Sequence, residues 1–171
     1  MTSLSSSTPA ARFAIHLNDH RALVDGELAL AMRSRSSNLG TELGHDLTVH
    51  VGELSTDRDL IDELLDAVGG RIDPLKSAGA RLAEKFGRLK TNGQLTGSSP
   101  LSPVVELEGL VAGCHARSTL WSSLGVSGVV GGDLHDRIVE RGVAVGAQLD
   151  VLRAHLQEAV SAAFDGLRGV G

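Results

Sequence analysis

The chain has 171 residues, a formal net charge of -5, 42% hydrophobic and 22% charged residues, one Trp and no Tyr. That length suits one domain with an aliphatic core, and an acidic, aromatic-poor chain lacks the basic or stacking surface that nucleic acid requires. No apolar run reaches the ~18 residues of a membrane span, the first ten residues do not resemble a secretory signal, and the lone Cys114 forms no internal disulfide, so a cytoplasmic location with no membrane partner is expected.

Residues 1–9 read as a flexible tail, 10–165 as a single helical domain and 166–171 as a frayed end. Thr8-Pro9 is a cap-and-proline start, and Phe13, Leu17, Val24, Leu28 and Ala31 then keep a helical period to about Ser36, with Leu23 and Leu30 widening the face. His16, His20 and Glu27 fall within the inward arc of this helix. Asn38-Leu-Gly40 breaks the pattern. Leu43, Leu47, His50, Leu54, Ile61, Leu64 and Val68 then mark a second long helix that closes at Gly69-Gly70. His50 is central in that stripe, Asp46, Glu53 and Asp57 lie within a row of it, and His50-x-x-Glu53 presents two metal-ligand types on one face.

Asp73-Pro74 opens a shorter predicted helix ending near Asn92-Gly93. From Arg71 to Lys90 there are six basic residues, Arg71, Lys76, Arg81, Lys85, Arg88 and Lys90, against Asp73 and Glu84. That run reads as a solvated face or a docking site for an acidic protein partner. Ser102-Pro103 reads as the cap of the next helix, with Leu107, Leu110, Val111, Cys114, Ser118 and Trp121 in its stripe and Gly109, Gly113 and Ala116 beside it, small enough for a neighbouring backbone to approach. After a Gly/Val turn, Asp133 starts a last helix to about Phe164, whose stripe of Leu134, Ile138, Val145, Leu149, Leu152 and Leu156 also contains Arg141. A cation in that row either snorkels to the edge along its aliphatic stem or is buried and paired across the bundle, with Glu27 or Glu53 the expected partner.

Four long amphipathic helices and one short crossover helix predict an all-α four-helix bundle. Its pattern over residues 10 to 165 resembles the ferritin-like superfamily, in particular uncharacterised or stress-associated bacterial bundle proteins. The resemblance is carried by helix order and by Asp19-His-Arg-Ala-Leu-Val-Asp-Gly-Glu27, Glu84-Lys-Phe-Gly-Arg-Leu-Lys-Thr-Asn-Gly93 and Ser99-Pro-Leu-Ser-Pro-Val-Val-Glu-Leu-Glu108. Metal-binding members take a Glu from each of two helices and a Glu-x-x-His from each of the others. Against that pattern Glu27 matches the first Glu and His50 with Glu53 a reversed pair, but the last helix offers Arg141 where an acid is needed. The resemblance therefore implies a non-catalytic bundle with an incomplete di-metal site and no cofactor, a structural or interaction module that self-associates. The alternative is a degenerate metal-binding or redox bundle holding iron, manganese or zinc through Glu27, His50, Glu53 and His20.

Overall fold

The computed structural model describes residues 8–73 and 101–165, which form four helices: α1 (Pro9–Ser37), α2 (Glu42–Ala67), α3 (Ser102–Ser127) and α4 (Asp133–Ala163). There is no strand among the described residues. The helix starts follow local chemistry. Thr8 accepts a hydrogen bond from the Ala11 N–H at 3.1 Å ahead of Pro9, and Thr41 accepts one from the Gly44 N–H at 3.1 Å. Each supplies an acceptor to one of the donors that a helix start leaves open. The third start departs from expectation: Ser102 is already helical, Leu101 holds the cap position, and no side chain caps the helix. At the other junction Gly128 and Gly132 adopt φ of +60° and +62°, so the turn between α3 and α4 uses the freedom only glycine has there. Asp133 and Asp136 then stand in the first turn of α4, where negative charge opposes the helix dipole.

Ion pairs and close contacts fix the directions of the helices. Glu27 meets Arg117 while Arg33 meets Glu106 at 3.3 Å, so α1 and α3 are antiparallel. Asp46 with His155 at 2.8 Å and Glu63 with Arg137 at 2.8 Å make α2 and α4 antiparallel. Arg21 with Asp62 at 2.7 Å pairs α1 with α2 in the same sense. Cys114 beside Val145 and Gly125 beside Ile138 do so for α3 and α4. The directions are thus up, down, down, up. The end of α2 lies at the start of α1, where Asn18 donates to the Arg71 carbonyl at 3.0 Å and accepts from the Asp73 N–H at 2.8 Å. The start of α3 lies at the other end of α1, where Arg33 meets Glu106. The short helix predicted from Asp73-Pro74 to near Asn92-Gly93 falls, beyond Asp73, outside the described residues. Arg71 is exposed, and Lys76, Arg81, Lys85, Arg88 and Lys90 lie outside the described residues.

The core is aliphatic. Leu17, Leu47, Leu54, Leu64, Leu107, Leu110, Leu120, Ile138, Val145 and Leu152 from all four helices form one buried cluster that also holds Trp121 and Cys114. Leu23, expected to widen the inner face of α1, is instead exposed, because its position falls outside the arc covered by α2 and α3. No helix of the described residues is long and apolar enough to cross a membrane.

Leu110→Ala and Leu152→Ala should each lower unfolding free energy by about 2–5 kcal/mol, through lost transfer energy and the cavity left behind. Urea denaturation read by the fluorescence of Trp121, undiluted by any Tyr, measures this directly. A loss below 1 kcal/mol for both would place them outside the core.

Candidate functional site

The centre of the bundle is ionic. Arg117, on α3, projects from the row Leu110, Cys114, Trp121 into the middle of the core and is 1% exposed. Its guanidinium grips Glu27 of α1 in a two-bond fork, Nε to Oε2 at 2.9 Å and Nη2 to Oε1 at 3.1 Å. Its third nitrogen, Nη1, donates across the diagonal to Asp57 of α2, which is fully buried. Planar forked geometry is what makes arginine, rather than lysine, able to hold two carboxylates at once. Glu27 needs room for this. A Cβ on Gly113 would stand 2.7 Å from the Glu27 carboxyl carbon and oxygen, so the absence of a side chain at 113 admits the carboxylate between α1 and α3.

Arg141 of α4 extends the cluster. It donates from Nε to Asp57 Oδ1 at 2.8 Å, from Nη1 to Glu53 Oε2 at 2.5 Å, and from Nη2 to the Glu53 carbonyl at 3.4 Å. Asp57 is thereby shared between two guanidiniums. Burial by itself would lower the Arg117 pKa, but the charges and hydrogen bonds of Glu27 and Asp57 outweigh it and raise the group above its ordinary range. The same balance, with Asp57 and Glu53 as partners, raises Arg141. Both are therefore held in the cationic form.

His50 closes the other side. Its Nε2 faces Glu27 Oε1 at 2.9 Å and its Nδ1 faces Gln148 Oε1 at 3.1 Å. Arg117 Nη2, which can only donate, lies 3.3 Å from the same Gln148 oxygen and so fixes the amide orientation. Both ring nitrogens therefore face side-chain oxygens, and the cluster brings the carboxyl groups of Glu27, Glu53 and Asp57 together with two guanidiniums and one imidazole. All four helices contribute to it. Beside it, α2 and α4 leave a cleft of about 350 Å³. Val49, Ala144, Ala147, Val151 and Leu152 form apolar walls, while His50, Glu53, Gln148 and Asp46 give polar ones. Farther along, Asp46 Oδ2 lies within hydrogen-bond distance of His155 Nε2, at 2.8 Å.

Of the four residues predicted as ligands, the structure brings Glu27 and His50 into direct contact and sets Glu53 on the same cluster through Arg141. His20 does not join them. It lies two turns earlier on α1, with its ring edge-on to His16 at a centroid distance of 4.7 Å. Arg141 pairs with Glu53, as its place in the stripe suggested, but its second partner is Asp57, because Arg117 already holds Glu27. Arg117 and Gln148 are the members that sequence reasoning missed. The spacing Leu110, Cys114, Arg117, Trp121 was the available signal, and Ser118, assigned to the stripe instead, is only half-buried. No group of three or more His, Cys, Asp and Glu side chains among the described residues is arranged to hold a metal ion.

Cys114 packs against this cluster, its thiol 3.5 Å from the Val145 carbonyl. Burial pushes it up to about 12, with Arg117 opposing that rise and Glu27 and Asp57 adding to it. Thiolate is the reactive form, so native Cys114 should react with a soluble disulfide reagent at pH 8 far more slowly than in denaturant. The folded pKa is raised, so native protein keeps a proton that unfolded protein loses above its ordinary value of 9.0. Stability from this group is accordingly full below pH 9 and falls as pH rises toward 12. Cys114→Ala should flatten that alkaline slope in a denaturation series.

Replacing Arg117 by Met leaves Glu27 with His50 alone and Asp57 with Arg141 alone, and should cost roughly 3–5 kcal/mol. Arg141→Met should cost less, since Arg141 is only half-buried at the cleft edge and water can replace part of its contact with Glu53. Equal effects in urea denaturation would contradict the central place of Arg117. Comparison with protein-family models, with curated proteins and with solved structures gives no match to this chain.

Proposed function

We propose that this chain is a non-catalytic bundle of ferritin-like type, a structural or interaction module in which ion pairs occupy the position of a carboxylate-bound di-metal centre. One observation carries the reading: the Arg117 guanidinium stands between Glu27 and Asp57 at the point where the four helices converge. A divalent cation at that point would meet a guanidinium in van der Waals range, and the carboxylate oxygens it needs are already bonded to Arg117, Arg141 and His50. The up, down, down, up order of the four helices supports the ferritin-like part of the reading.

Function then lies at the surface. On α4 the side chains of Val139, Val143 and Val151 are exposed in one i, i+4 row with Ala147, and Val49 is exposed on the facing side of α2. An apolar row of this kind supports self-association rather than catalysis.

Untagged protein, dialysed against chelator and re-exposed to ferrous, manganous or zinc ion, should retain no stoichiometric metal that depends on Glu27, His50 or Glu53. Sedimentation of the same sample should show concentration-dependent association. Stoichiometric iron, manganese or zinc that disappears in His50→Ala would overturn the proposal in favour of a metal-binding or redox bundle.

A further inference from the structure

Outside the central cluster, α1 carries a pair of titratable rings that no part of the ion-pair network uses. His16 and His20 are four residues apart, so a regular helix sets them on one face, one above the other. Their ring centroids are 4.7 Å apart and their planes cross at 77°. The Nδ1 atom of His20 is buried and has no hydrogen-bond partner, an unmet polar atom of the kind native structures seldom leave.

Those distances match chelation. A metal at about 2.0–2.1 Å from a ring nitrogen lies about 3.2 Å from the ring centroid, so two rings on one ion, at 90–109° to each other, have centroids about 4.5–5.2 Å apart. The observed separation falls inside that window, and because each ring turns freely about its own metal–nitrogen axis, a steep angle between the planes is compatible with it.

We propose that His16 and His20 form a two-imidazole site for a borderline divalent cation of the zinc, nickel and copper class, with water completing its coordination. Imidazole suits these ions, whereas magnesium and calcium prefer oxygen. The helix pre-organises both ligands, so little ordering accompanies binding. Ligation through Nδ1 of His20 supplies the partner that the protein withholds. The charge surroundings agree: burial and the neighbouring His16 lower the His20 pKa, against a smaller rise from Asp19, which favours the uncharged form that metal binding requires. Asp19, adjacent in sequence, adds a negative field that favours a cation.

The site is independent of the buried cluster, two turns away from Glu27, and its test separates the two. The full untagged chain is titrated with zinc chloride and with nickel chloride by calorimetry at pH 7.5. The expected result is one saturable site per chain, weakened at least tenfold in His16→Gln and in His20→Gln and unchanged in His50→Gln and His155→Gln. Cupric ion added to the same protein should show coupling to two nitrogens by electron paramagnetic resonance. Circular dichroism and Trp121 fluorescence verify that each variant is folded. Failure of the wild type to saturate at millimolar ion would mean that the rings only pack edge-to-face and would overturn the proposal. So would binding that survives in the His16→Gln, His20→Gln double variant, or cupric coupling to a single nitrogen.

Discussion

The Arg117 guanidinium, held between Glu27 and Asp57 in the dry centre of the bundle, is the interaction on which the rest of the arrangement depends. Taking any one of these charges out of water costs several kcal/mol, and the cost is offset only if every partner is in place with good geometry. Arg117 meets that condition by using all three nitrogens, on three helices besides its own: Glu27 on α1, Asp57 on α2 and Gln148 on α4. Sliding any helix by one turn would move its contribution by about 5.4 Å and leave a buried charge unpaired. An apolar seam tolerates such a slip far better, since one Leu replaces another. We regard the network as the device that fixes helix register, a use of buried polar groups that has precedent in coiled coils.

Around it, the aliphatic layers supply the bulk of the stabilisation. Leu54, Leu110, Ile138 and Leu152 bury fully or nearly so, and non-directional burial of this sort scales with area rather than with orientation. The two contributions therefore divide the labour: hydrocarbon drives association of the four helices, and the ion pairs choose one alignment among the several that hydrocarbon alone would accept. Gly113 shows how closely the two are fitted, because a single methyl at that position would compete with the carboxyl of Glu27 for the same space.

The cleft between α2 and α4 follows from the same partition. At that seam Arg141 and His155 reach across to Glu53, Asp57 and Asp46, and long polar side chains hold two helices farther apart than Leu or Ala would. The result is a groove with hydrocarbon walls and a polar floor. The strongest packing lies on the other faces, where α1 meets α2 and α3 meets α4, so the bundle is closed on two sides by its hairpins and open on this one.

Helical periodicity by itself determined the class of the structure. The spacing of Leu, Val and Ile set four long helices whose ends agree with the observed ones to within a few residues, and it picked out Leu54, Leu110, Trp121 and Leu152 as buried. It also found that His50, Glu27 and Arg141 stand on inner faces, because a side chain's angle about its own helix axis depends only on residue number. The partners across the bundle were decided by tertiary structure alone. Which carboxylate an inward cation meets depends on the axial offset and tilt between helices, and no single-helix pattern contains those quantities. Arg117 and Gln148 thus entered the cluster unannounced, Glu27 went to Arg117 instead of Arg141, and His20 turned toward His16 rather than toward Glu27. Sequence fixes the direction in which a side chain leaves its helix; only packing fixes what it finds there.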